Sequence, residues 1–276
     1  MKPTTHKQTL NQKQIRLLKL IYKFRYITSI QISKYEGLTS RAINYRLEVL
    51  EDQGYIGIFF DKRYKLSGKP ARYYLTLKGI NFLKTESGIN FLKTEPGINP
   101  HSLKLMYKNK SISSVSIDHH LLILDIYIKL RTKFKDGYLM YGKYEIYGNE
   151  IYPNPPADIY IQKIESIQNA SSDYLIDIFE DTPPFVIEKR LKAIMEHLES
   201  EEYQQATKRA YPSILIICAD EKIEKRLMKP IEHVYDSTLK FSQPILTTTL
   251  KRFNEAKSVD EVVWTNALKP EKIIYI

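Results

Sequence analysis

The 276-residue chain is 43% hydrophobic and 27% charged, enough apolar material for a core in each of two domains and too much for wholesale disorder. Its single cysteine, Cys218, excludes a disulfide framework or a multi-thiolate zinc site within one chain. The net charge is +10 and unevenly placed: residues 1–85 hold 17 Lys and Arg against 5 Asp and Glu, so the remaining residues are net acidic by two. A cationic head on a near-neutral body is the pattern of a polyanion-binding module. No apolar run approaches the ~20 residues needed to cross a bilayer, and the first residues lack the apolar stretch of a signal peptide. The expected setting is therefore the cytoplasm, with no membrane partner.

Residues 11–26 carry helical spacing: Ile15, Leu18, Leu20, Ile21 and Phe24 share a stripe, with Lys13, Arg16, Lys19 and Lys23 elsewhere. Thr28-Ser29 can cap a short second helix that Gly37 stops. Ser40 is the expected N-cap of a third helix, residues 41–53, with Ile43, Leu47 and Leu50 on one face and Arg41, Asn44, Tyr45 and Glu48 outward. Gly54 ends it. Residues 55–60 then read as a strand, residues 61–70 as a basic turn, and residues 71–75 as a returning strand, after which Thr76 caps another helix.

Three helices and a hairpin are the order of a winged helix-turn-helix, expected over residues 10–86. In that arrangement the third helix enters the major groove, presenting Ser40, Arg41, Asn44 and Tyr45 to base edges and phosphates. The wing adds Lys62, Arg63, Lys65 and Lys69, with Arg72 on the returning strand, to grip the backbone. The expected partner is double-stranded DNA.

Residues 79–87 are repeated at once by residues 88–96, with only the last position changed, Ser87 to Pro96. Nine residues turn a helix through about 900° and flip a strand, so the copies cannot pack alike on one element. The first copy reads as the end of the winged helix, the second as part of a linker over residues 87–112. Pro96-Gly97 and Asn99-Pro100 mark the break.

From residue 113 to 276 strands and helices alternate, the pattern of an α/β layer structure. A helix is expected over residues 117–134. Strands are expected at 142–147, 157–161, 174–179, 213–219, 244–249 and 272–276, and further helices at 185–200 and 222–234. Cys218 lies in the apolar run 213–219 and reads as buried core.

The run Ile151-Tyr152-Pro153-Asn154-Pro155-Pro156-Ala157-Asp158-Ile159-Tyr160 is followed by Tyr174-Leu175-Ile176-Asp177-Ile178-Phe179-Glu180-Asp181-Thr182. Then come a helix bearing Lys189, Arg190 and Lys192, and the run Tyr211-Pro212-Ser213-Ile214-Leu215-Ile216-Ile217. Together these resemble the replication-relaxation family of plasmid and mobile-element proteins. The resemblance implies a winged helix joined to a domain similar to the PD-(D/E)XK nuclease fold. It further implies a role in replication, relaxation or mobilisation, and a relaxase or replication initiator as partner.

A nuclease of that fold needs two carboxylates for magnesium and a lysine to position water. Asp158 and Asp177 are the candidate metal ligands. The lysine's place two residues on is Phe179, which leaves Lys189 or Lys192 to migrate in, and Ala157 separates Pro156 from Asp158. The expectation is a degenerate, non-cleaving domain without a cofactor that forms a homodimer or docks the partner. The alternatives are a magnesium-dependent endonuclease using those residues and a sequence-specific transcriptional regulator. The adjacent His119 and His120 point in different directions and read as core or surface residues.

Overall fold

The computed structural model describes residues 10–60, 66, 68–85, 98–134, 137–164, 173–237, 244–274 and 276. These divide into two compact units, Met1–Leu121 and Leu122–Ile276. The wing cations Lys62, Arg63 and Lys65, and the second copy of the duplication, lie outside the described residues.

Among the described residues the first five α-helices of the first unit each start where a side chain caps them. Helix α1 (Gln12–Phe24) opens on a reciprocal pair: Gln14 N–H donates to Asn11 Oδ1 at 3.0 Å, and Asn11 N–H donates to Gln14 Oε1 at 2.9 Å. Strand β1 (Ile27–Thr28) leads into α2 (Ser29–Glu36), where Thr28 and Gln31 repeat the same box. Gly37, at φ 66°, ends α2 in the left-handed conformation that costs glycine least. Helix α3 (Ser40–Asp52) is capped by Thr39 rather than by the expected Ser40, which takes the first helical position. Its Ile43, Leu47 and Leu50 are fully buried, each contributing about 1.5–3 kcal/mol.

Strand β2 (Ile56–Phe59) pairs antiparallel with β3 (Arg72–Leu75), and β1 pairs with β3 from the other side, giving the order β1-β3-β2. The two-residue β1 was not expected: Ile27-Thr28 is too short to carry an alternating pattern. Helix α4 (Leu77–Lys84) begins at Thr76, whose Oγ1 accepts from Gly79 N–H at 3.2 Å and donates to Gly54 O at 2.6 Å.

The first unit extends well past residue 86. Helix α5 (Pro100–Leu105) and a 3₁₀ turn (Met106–Ser111) belong to it, within the stretch 87–112 expected as a linker, of which residues 87–97 lie outside the described residues. Leu103, Met106 and Ile117 are buried. Tyr22 Oη lies 2.6 Å from Ser102 Oγ and accepts from Asn99 N–H at 2.8 Å. Asn109 is the centre of a second anchor: its Oδ1 accepts from Arg25 Nε at 2.8 Å, its carbonyl from Tyr26 Oη at 2.6 Å, and its amide donates to Leu75 O at 3.3 Å. Polar side chains that match buried groups this closely bind a segment whose apolar content is too sparse to signal a core.

Helix α6 (Ser114–Lys133) contributes residues to both units. The second unit is a seven-stranded mixed sheet, ordered β10-β9-β8-β7-β6-β5-β4. Its strands are β4 (Tyr138–Gly142), β5 (Ile159–Lys163), β6 (Tyr174–Phe179), β7 (Ser213–Cys218), β8 (Ile245–Thr249), β9 (Trp264–Asn266) and β10 (Lys269–Ile274). The centre, β6-β7-β8, is parallel; every other pairing is antiparallel. The central strand β7 reads as a nearly continuous apolar run because both its faces are covered, while β6 buries Asp177 and β8 buries Thr247, Thr248 and Thr249. Helices α8 (Pro184–Ser200) and α10 (Glu221–Ser237) supply Ile187, Leu191, Ile194, Leu227 and Ile231 to one core with β6 and β7.

The strand expected at 142–147 is instead the helix α7 (Lys143–Ile146), with β4 lying before it. Gly142 N–H donates to Glu145 Oε2 at 2.6 Å, which starts a turn where the residue types favour extension. Helices α9 (Glu202–Thr207) and α11 (Leu250–Glu255) complete the unit. Among the described residues no helix is long and apolar enough to cross a membrane.

Candidate functional site

Among the described residues the expected site residues fall in two places: the outward face of α3 with the hairpin beside it, and a buried carboxylate pair in the second unit. On α3 the burial of Ile43, Leu47 and Leu50 turns Ser40, Arg41, Asn44, Tyr45 and Glu48 to solvent. Tyr45 is 68% exposed, far more than a tyrosine retained for packing. Charge is graded along the helix. Arg41, Asn44 and Tyr45 occupy the N-terminal half, where the macrodipole is positive, while Glu48, Glu51 and Asp52 occupy the C-terminal half. Burial, with Asp52 and Glu48 adding to it, pushes the Glu51 carboxyl above its usual range. The end of α3 suited to a polyanion is thus its beginning.

The antiparallel pair β2–β3 follows α3 and forms the described part of the wing. Lys69, in the segment that connects the two strands, is exposed. Arg72 differs from the other expected contacts: it is 3% exposed, and its guanidinium is paired with Asp118 within the same unit. Beyond the hairpin, Lys104, Lys108 and Lys110 are exposed on α5 and the 3₁₀ turn, so residues 98–111 add positive charge as well as packing.

Residues 10–56 match the family model described as winged helix-turn-helix DNA-binding. The N-terminal part of the first unit is a winged helix-turn-helix DNA-binding domain. The match spans α1 to the start of β2; the returning strand β3 and α4 complete the winged helix beyond it. No curated protein and no solved structure matches the chain.

In the second unit, Asp158 lies just before β5 and Asp177 inside β6. The pairing of Ile159 with Ile176 sets the two aspartates side by side. Both are buried, at 0% and 1% exposure. Asp177 Oδ1 accepts from Asp158 N–H at 3.2 Å, and Asp158 Oδ2 accepts from Ile178 N–H at 3.1 Å. Arg190, from α8, places Nη2 2.8 Å from Asp158 Oδ1 and 2.6 Å from Asp177 Oδ1. Lys143, the first residue of α7, brings Nζ to 3.2 Å from Asp158 Oδ1.

Burial opposes the Arg190 charge, but Asp158 and Asp177 outweigh it and raise its pKa, so it stays protonated. Burial pulls the Lys143 ammonium below its ordinary value, Arg190 adds to the pull, and the two aspartates oppose it. Burial also lifts the Asp177 carboxyl, against the attraction of Arg190.

Lys189 and Lys192 are exposed on α8. Helical spacing distinguishes them from Arg190. With Ile187, Leu191 and Ile194 inward, position 190 falls about 60° from that stripe, whereas 189 and 192 fall on the far side. Arg190 was therefore legible from periodicity, while Lys143, contributed by a turn that reads as a strand, was not. Among the described residues no group of three or more histidine, cysteine or acidic side chains is placed to hold a metal ion.

Proposed function

We propose that this chain grips duplex DNA through α3 and the basic wing and serves the replication, relaxation or mobilisation of a plasmid or mobile element. The observation that carries the DNA reading is the exposed, cationic-to-polar start of α3, where Arg41, Asn44 and Tyr45 stand clear of the core. A helix of this width fits the major groove, and bidentate Arg and Asn contacts distinguish bases there. Lys62, Arg63, Lys65 and Lys69 supply phosphate contacts that fix register without reading sequence. The α/β unit, in the nuclease-like reading, is the part that forms a homodimer or docks a relaxase or replication initiator.

Fluorescence anisotropy with unrelated duplex oligonucleotides tests the DNA reading. Changing Lys62, Arg63, Lys65 and Lys69 together to Ala should weaken binding to all of them and flatten the log–log salt slope by about three to four units. Unchanged affinity and slope would remove the wing from the reading. Footprints at a replication or transfer origin support the plasmid role, whereas a footprint confined to the chain's own promoter favours a transcriptional regulator.

A second reading, a magnesium-dependent endonuclease, is favoured by the side-by-side placement of Asp158 and Asp177 on neighbouring strands. Nicking of supercoiled plasmid in the presence of magnesium, abolished by Asp158→Ala, would establish it.

A further inference from the structure

The nuclease-like resemblance implies a divalent cation between Asp158 and Asp177, and the residues around that pair do not fit one. Magnesium takes about six oxygen ligands at ~2.0–2.1 Å in near-octahedral array. Here the place between the two Oδ1 atoms is taken by nitrogen: Arg190 Nη2 lies within hydrogen-bonding distance of both, at 2.8 and 2.6 Å. Lys143 Nζ adds a second cation at 3.2 Å. Two carboxylates, one guanidinium and one ammonium sum to zero, so a divalent ion would bring surplus positive charge into a buried site.

We infer that Arg190 is the resident counter-ion of this pair, with Lys143 as its second. The aspartates form an internally neutralised clamp across β5, β6 and α8 that binds no divalent cation. Arginine suits this place because it is planar, always charged and able to reach two carboxylates at once. Phe179 then gains a part. It stands two residues beyond Asp177, and its ring centroid lies 5.8 Å from Arg190 Cζ, within reach of a cation–π contact. A lysine at 179 would put a third cation against Arg190; a phenylalanine seats it. Pro156 O, 3.4 Å from Nη2, is a further acceptor.

The inference does not depend on DNA binding by the winged helix, and its test reads metal and heat rather than DNA. Arg190→Ala removes the cation that lies between the two carboxylates, and neighbouring buried carboxylates do not both ionise unaided. Arg190→Ala should therefore lower the midpoint of thermal unfolding by on the order of 10 °C. Millimolar Mn²⁺ should restore part of the loss by binding the freed pair in the folded state.

In the unaltered 276-residue chain, Mn²⁺ should leave the midpoint unmoved. Paramagnetic titration should find no site that Asp177→Asn removes. Arg190→Lys keeps the charge without the fork and should fall between the two; it also serves if the alanine variant does not fold. One Mn²⁺ bound per unaltered chain and lost in Asp177→Asn would overturn the inference. So would a folded Arg190→Ala variant with the melting behaviour of the unaltered chain.

Discussion

Arg41 and Arg72 carry the same charge into opposite environments. Arg41 stands in solvent at the start of α3, and Arg72 is buried in β3 against Asp118. Their substitutions should separate binding from stability. Arg41→Ala should leave thermal unfolding within about 0.5 kcal/mol of the unaltered chain, as surface changes do. Loss of a base or phosphate contact should still weaken DNA binding about five- to a hundredfold. Arg72→Met should do the reverse. It removes a buried pair whose partner is 47% exposed, so the loss is modest, about 1–2 kcal/mol, and the salt slope of DNA binding should not move. A salt slope reduced by Arg72→Met would return Arg72 to the interface.

At the scale of elements, the geometry of the winged helix depends on one close approach. A Cβ at Gly79 would meet Tyr55 O at 2.2 Å, and that carbonyl also accepts from Thr76 N–H at 3.1 Å. Helix α4 therefore sits against the strand entering the wing with only a hydrogen's width between them. Gly79→Ala gains up to about 1 kcal/mol of helix propensity but forces α4 or the Tyr55 peptide to move, costing about 1–3 kcal/mol. The steric effect should win, so chemical denaturation should show a net loss. A variant more stable than the unaltered chain would mean that α4 is free to shift.

At the scale of the whole molecule, the excess positive charge and the unit boundary coincide only once residues 98–121 are counted with the winged helix. Arg25, Tyr22 and Tyr26 are buried donors or acceptors whose partners lie beyond residue 98. A fragment ending at residue 86 would lose these bonds, at about 0.5–1.5 kcal/mol each, together with the burial of Leu103, Met106 and Ile117. The fragment 10–121 should fold and keep the salt slope of the full chain. The fragment 10–86 should melt at least about 10 °C lower or not fold. Equal melting of the two, followed by circular dichroism, would show that the added segment is dispensable.

Much of this was legible before any tertiary structure. The stripe through Ile43, Leu47 and Leu50, with the punctuation of Gly37, Gly54 and Thr76, is local, because caps and helical periodicity act within one or two turns. It settled the order of the winged helix and the face of α3 turned to solvent. The apolar run at 213–219 likewise announced a strand covered on both faces, and strands were legible at 174–179 and 244–249. What only the folded chain decided was long-range pairing. Asn109 became an anchor because three groups distant in sequence converge on it, and Arg72 became interior because Asp118 lies across from it. Asp158 and Asp177 became neighbours through strand register, with Arg190 and Lys143 delivered from separate helices. Local patterns record which side of an element is apolar; they do not record which charges the fold will bring within 3 Å of each other.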